Sequence, residues 1–167
     1  MILERPLRSG LILAALLAAA DQASKWWVLL DVMNPPRVIE VLPFFNLVLV
    51  WNQGISFGLF QAGSGAGKWL LIAVAAVVCA VLVAMLRKAG NRLTVIAVGL
   101  IIGGAVGNVI DRVVHGAVVD FFDVHAAGYH WPAFNIADSA IVIGAGLLIL
   151  DSLTASTHNS DNEPADR

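Results

Sequence analysis

Four apolar runs organise the chain: Gly10 to Leu30, Trp69 to Leu86, Leu93 to Ile110, and Ile136 to Leu153 (about 10–30, 69–86, 93–110 and 136–153). Each approaches the roughly 20 residues that a helix needs to cross about 30 Å of hydrocarbon. Helices are the expected form, because a helix closes its own backbone hydrogen bonds where no water can. The connection after the first run is patterned differently. Val38-Ile39-Glu40-Val41-Leu42 and Asn46-Leu47-Val48-Leu49-Val50-Trp51 are β-rich and punctuated by Pro43, Asn52 and Gly54. That pattern predicts a small sheet within residues 37–59 resting on the membrane. Gln61 to Lys68, rich in glycine, reads as a flexible return to the second run. The expected fold class is an integral membrane protein, mainly α, with four transmembrane helices and a small extracytoplasmic β-sheet. Residues 1–153 form a single membrane-embedded domain on this reading, and the polar, acidic tail 154–167 is expected to be disordered.

Composition sharpens the membrane assignment. The chain of 167 residues is 59% hydrophobic and 13% charged, with a mean hydropathy of +0.82, whereas soluble domains are about 45–50% apolar and about 25% charged. A net charge of −2, without a basic stripe or interleaved aromatics, sets nucleic acid aside. The single cysteine, Cys79, lies in an apolar run, so neither an intrachain disulfide nor a cysteine metal site is possible; it reads as a small buried hydrophobe. Arg5 and Arg8 before an apolar run ending in Ala18-Ala19-Ala20 resemble a cleavable secretory signal. The run continues through Lys25 into Trp26 and Trp27, an interfacial aromatic pair, and is read as a retained span. Arg5 and Arg8 precede the first span, and Arg87, Lys88 and Arg92 link the second to the third. The positive-inside rule then puts both termini and that link in the cytoplasm, with connections Asp31 to Lys68 and Asp111 to Asn135 outside.

With that orientation the scattered polar residues converge. Asp21 and Lys25 lie in the outer half of the first helix, on one face at i, i+4. Asn108, Asp111 and Arg112 close the third helix, and Asn135 and Asp138 open the fourth. Asn52 and Asp120, from the two outer connections, reach the same level, so a polar site at the outer leaflet is expected. Structural readings stand beside this. Asp21 and Lys25 make a simple intrahelical ion pair; Asn135 is an N-cap with Asp138 the acid three residues on, favoured by the helix dipole. Arg112 suits a helix C-terminus, whereas Asp111 there opposes the dipole and needs a partner, with Arg112 the nearest candidate. Asp120 resists such an account, because Val118, Val119, Phe121 and Phe122 surround it with no cap position or basic neighbour. Carboxylates in such surroundings are rare unless they perform chemistry or carry ions. Two of them, if adjacent, can share a proton and activate water.

Five blocks carry a resemblance: Asp21-Gln22-Ala23-Ser24-Lys25; Asn52-Gln53-Gly54-Ile55-Ser56-Phe57; Gly104-Ala105-Val106-Gly107-Asn108 with Asp111-Arg112; Val119-Asp120-Phe121; and Phe134-Asn135-Ile136-Ala137-Asp138-Ser139. In this order the chain resembles the lipoprotein signal peptidases, also called type II signal peptidases, which are bacterial inner-membrane aspartic proteases. The resemblance implies that Asp120 and Asp138 are the catalytic pair and that Asp21, Lys25, Asn52, Gly54, Asn108, Arg112 and Asn135 support it or bind substrate; Asp111 joins that group by position. It implies removal of the signal peptide from diacylglyceryl-modified prolipoproteins, before the lipidated cysteine, by an enzyme that needs no cofactor or metal. Its partners are then lipid-modified prolipoproteins and membrane lipid, and the chain is expected to act as a monomer. The resemblance also implies a flexible outer helix or loop over the site, for which Arg112 to Trp131 offers a lid. Phe57, Phe121, Phe122 and Trp131 are candidates to line an acyl-chain path.

Three rivals have their own residues. Intramembrane carboxylates also mark ion paths, so a proton-coupled or ion-conducting transporter is the alternative; against it, the acids crowd one leaflet and the inner half offers only Asp151. A metalloprotease would use His115, His125 and His130, whose spacing makes no His-Glu-x-x-His helix. A noncatalytic assembly protein would need none of the acids for chemistry.

Overall fold

The computed structural model describes residues 4–54 and 66–160, with side chains over 5–54 and 66–154. Helix α1 (Glu4–Trp27) takes up the first apolar run and continues as one π-helical turn, Val28–Val32. Helices α2 (Ala66–Arg87), α3 (Arg92–His115) and α4 (Ile136–Ser160) follow the other three runs. Among the described residues three helices are long and apolar enough to cross a membrane: α2, α3 and residues 136–154 of α4, with mean hydropathies of 3.0, 2.2 and 1.9. Helix α1 is not one of them, because charges punctuate it. Its inner charges are nevertheless turned away from the surroundings: Asp21 and Lys25 are 0% and 1% exposed, while Leu16 on the same helix is 65% exposed.

Helix α3 is the centre of the bundle, packing against the other three helices. Its buried face is built of small residues, which let backbones approach. A β-carbon placed on Gly103 would lie 2.7 Å from the carbonyl oxygen of Ala14 in α1, and one on Gly104 would collide with the carbonyl of Ala137 in α4. The outward faces are broad and apolar, with Val74, Val77 and Val81 of α2 and Val142 and Ile149 of α4 exposed. An apolar surface of that extent belongs against lipid. Asn91 caps the start of α3 by accepting from the Thr94 N–H at 2.8 Å. The far end closes at Gly116, whose φ of 81° suits the left-handed residue after a helix and whose N–H reaches the Arg112 carbonyl at 3.1 Å.

A four-stranded antiparallel sheet lies at the end of the bundle where α3 stops and α4 starts, in the order β1 (Ile39–Leu42), β2 (Phe45–Asn52), β3 (Val118–Ala126), β4 (Tyr129–His130). The first two strands fall in the segment expected to form a sheet. The other two lie within Arg112 to Trp131, the segment offered as a lid. That segment is the end of α3 followed by sheet, because Val118-Val119-Asp120-Phe121-Phe122 is β-branched and aromatic and pairs with β2. Val119 and Phe121 point to one face and pack on Val28 and Met33, so alternation turns Asp120 to the other face. Two expectations change. Residues 154–160, read as the start of a disordered tail, continue α4, and residues 66–68 of the flexible return already belong to α2. The rest of that return (61–65), residues 55–59 with Phe57, and residues 161–167 lie outside the described residues.

Candidate active site

Asp120 and Asp138 arrive by different routes at the junction of sheet and bundle. Strand β3 carries Asp120, buried at 1% exposure. Asp138 stands in the first turn of α4. What joins them is the backbone at Phe134, whose carbonyl accepts from the N–H groups of Phe121 and Phe122 at 3.1 and 2.8 Å and whose own N–H returns to Phe122 at 3.1 Å. This short bridge lays the entry to α4 alongside β3, so Asn135 sits between the two acids. Its side-chain amide donates to Asp120 Oδ1 at 2.7 Å. Its backbone N–H donates to Asp138 Oδ2 at 3.2 Å, and its Oδ1 accepts from the Asp138 N–H at 2.9 Å. That reciprocal pair is a capping box closed by an aspartate. The capping reading of these residues and the convergence reading are therefore both met by one geometry.

Three asparagines surround the acids, and each is oriented by what its oxygen receives. Asn52 Oδ1 accepts from the Gly54 N–H at 2.8 Å, an Asx-type turn that leads into a glycine with a φ of 92°, and Nδ2 then faces Asp120 Oδ2 at 2.8 Å. Asn52 can reach because it pairs with Val118 in the ladder, leaving Asp120 diagonally across on the same face. Asn108 Oδ1 accepts from Lys25 Nζ at 3.0 Å, which turns Nδ2 to Asp138 Oδ1 at 2.8 Å. With Asn135 fixed by the Asp138 N–H, all three amides present hydrogens to carboxylates.

Below this layer lies a buried ionic network. Lys25 Nζ contacts Asp21 Oδ2 at 2.8 Å and Asp111 Oδ2 at 2.9 Å; with Asn108 its three hydrogens are all accepted. Asp21 also receives the Ala137 N–H at 2.9 Å, so a residue of α1 satisfies a free donor at the start of α4. Asp111 receives the Val119 N–H at 3.0 Å, tying α3 to β3. Its partner is thus Lys25, not Arg112 as expected from the helix end alone, because the packing of α1 on α3 brings a distant ammonium closer than the neighbouring guanidinium. Gln22 escaped the sequence reasoning; it donates to Asp111 Oδ1 at 2.7 Å and to the Gly107 carbonyl at 3.1 Å. The only available signal was its place beside Asp21.

Arg112 is half-buried near the acids. One terminal nitrogen donates to the Asn108 carbonyl at 3.2 Å, and the buried Nε has no partner among the described residues. Burial raises the Asp120 carboxyl to about 6; the Asn52 and Asn135 hydrogen bonds oppose this, and the neighbouring charge of Asp138 adds to it. Of the suggested aromatic lining, Phe121 is buried in the sheet's packing and Trp131 is 69% exposed. The histidines do not assemble with the acids. His115 lies between Trp26 and Trp51, with ring centroids at 5.3 and 5.5 Å. His130 pairs with Asp123 at 2.8 Å and thereby holds that carboxyl below its usual range. No group of three or more potential metal ligands occurs among the described residues.

Apolar helices around a central small-residue helix, with buried carboxylates where bundle meets sheet, define a helical membrane protein. Residues 13–154 match the family described as Signal peptidase (SPase) II. The chain belongs to that family and is a bacterial membrane peptidase by membership. A protein named lipoprotein signal peptidase from Methylobacterium sp. (strain 4-46) is 52% identical over 147 residues, covering 87% of this chain and 89% of the relative. Another of that name from Serratia marcescens is 45% identical, covering 92% and 90%. A solved bacterial membrane enzyme, crystallised by the in meso method, superposes with a TM-score of 0.76 at 31% identity, covering 94% of each chain.

Proposed function

We propose that this protein is an aspartic endopeptidase that removes the signal peptide from diacylglyceryl-modified prolipoproteins by cleaving before the lipidated cysteine. The observation that carries the reading is Asn135, which binds Asp120 through its side chain and Asp138 through its backbone. Two carboxylates so held, from different elements, are suited to share one proton. Asp138 stands at the positive end of α4, where the helix dipole favours negative charge. It is the base, taking a proton from water as the water oxygen attacks the scissile carbonyl. Asp120, whose burial favours the neutral acid, donates its proton to the carbonyl oxygen; as the C–N bond breaks, Asp138 passes the proton it took from water to the leaving amine, and Asp120 recovers its own from the collapsing gem-diol. Arg112, half-buried at the C-terminal end of α3, holds a substrate carbonyl through its guanidinium fork.

On this reading α1 is the fourth transmembrane helix, its charges supported inside the bundle, and residues 1–153 are one peptidase domain. Both termini are cytoplasmic in the inner membrane, and the acids lie at the outer leaflet, where the scissile bond meets water while signal helix and acyl chains stay in lipid. The monomer is the working unit, with lipidated precursor and membrane lipid its partners. The test is cleavage of a synthetic diacylglyceryl-modified precursor by purified protein. Asp120→Asn and Asp138→Asn should each abolish cleavage while preserving insertion and thermal unfolding; substantial turnover by either overturns the assignment.

A further inference from the structure

At the end of the bundle away from the acids, a groove of about 800 Å³ opens between the first turns of α1 and the start of α3. Arg5, Arg8 and Arg92 line it on the polar side, and Ile12, Val95 and Ile96 form an apolar wall. All three arginines are exposed, and among the described residues none forms a salt bridge. The acid nearest in the bonding pattern, Asp151, is taken up by Thr94 Oγ1 at 2.6 Å and Asn91 Nδ2 at 3.0 Å. Among the described residues the groove therefore combines guanidinium groups that form no salt bridge with apolar surface that Ile12 and Ile96 leave 50% and 45% exposed.

We propose that this groove is a binding site for an anionic phospholipid of the cytoplasmic leaflet. Arg5, Arg8 and Arg92 hold the phosphate, and an acyl chain lies along Ile12, Val95 and Ile96. Guanidinium forks match phosphate oxygens in pairs, and in a zwitterionic headgroup the quaternary ammonium offsets that attraction. Basic pockets between helices at the cytoplasmic side suit such headgroups. Free phosphate would satisfy the arginines and leave the wall uncovered, so the amphipathic molecule is the better fit. The choice of leaflet rests on the orientation proposed above; the binding chemistry does not.

The test uses purified full-length protein, delipidated and then offered phosphatidylglycerol or phosphatidylcholine with identical acyl chains, with retention read by native mass spectrometry. Wild type should prefer phosphatidylglycerol, and R5Q/R8Q/R92Q should lose roughly fivefold of that preference per arginine while still cleaving lipidated precursor. Equal retention of the two lipids by wild type, or an undiminished preference in the triple variant, overturns the proposal. Displacement of phosphatidylglycerol by inorganic phosphate also overturns it, in favour of a soluble-anion site. If the triple variant fails to fold, R8Q alone should show the roughly fivefold loss, and an unchanged preference there counts against the site. Orientation is read separately, with a Cys79→Ser, Ala89→Cys protein and a membrane-impermeant maleimide. Labelling only after the inner membrane is opened supports the cytoplasmic leaflet; labelling of intact spheroplasts overturns that leaflet without touching the lipid preference.

Discussion

Asn135 gives Asp138 a backbone hydrogen and takes one back through its side-chain oxygen, at 3.2 and 2.9 Å, and its side-chain amide makes its shortest bond to Asp120, at 2.7 Å. The residue thus caps a helix and spaces two acids at once, and the two duties can be separated. Serine caps as well as asparagine but is too short to reach Asp120. Asn135→Ser should stay within about 1 kcal/mol of wild-type stability and lose about 100-fold in kcat/KM, the scale of a misplaced catalytic group. Asn135→Ala should lose the activity and about 1 kcal/mol more of stability. Denaturation midpoints beside kcat/KM for both variants make the comparison.

The Asp120 carboxyl sets a pH dependence whose sign follows from burial. Unfolded, the group releases its proton near 3.9; folded, it does so at about 6. Its favourable contribution is present in full below the unfolded value and is lost as pH rises through about 6. Stability should therefore fall across this window, by at most about 1.4 kcal/mol per pH unit from this group. Asp120→Asn should remove that slope, and a carboxylic-acid infrared band titrating near 6 in wild type should vanish with it.

Among the described residues Lys25 is the one ammonium that contacts both Asp21 and Asp111. Lys25→Met leaves both carboxylates buried without it and leaves the oxygen of Asn108 only the longer 3.3 Å bond from Asn135, so the loss should be about 3–5 kcal/mol, the usual result of breaking a buried ion pair from one side. Chemical denaturation in detergent checks the stability. Cleavage at a temperature where the variant remains folded should still be depressed, because Asn108 loses the shorter of the two bonds that turn its amide towards Asp138.

Gly107 is where Asp21 meets α3. A β-carbon there would stand 2.5 Å from Asp21 Oδ2, an oxygen already held by Lys25. Gly107→Ala should cost about 1–3 kcal/mol through overpacking, and Asp21→Asn in the same chain should not restore the loss, since the crowding is steric. Thermal unfolding of the single and double variants decides it.

Much of the site was legible because helix periodicity is local. The i, i+4 spacing of Asp21 and Lys25 predicts their contact, and Asn135 followed by Asp138 predicts a cap; both are present. Charge around the apolar runs gathered the remaining polar groups at one end. What could not be read from spacing depends on packing between segments. The partner of Asp111 comes from another helix, and Gln22 acquires its role only because α1 lies on α3. Strand β3 was missed for a different reason: it is buried on both faces from Val118 to Phe121, so the alternation that marks a half-exposed strand is absent. Its β-branched and aromatic run was the remaining signal.

The hydrogen bond from Ala137 to Asp21 spans 116 positions of sequence. A nascent chain halted before its final helix has neither that tie nor Asp138, and so holds half of the acid pair against an unfinished wall. Joining the last helix to the first therefore makes completion of the acid pair wait on the end of chain synthesis.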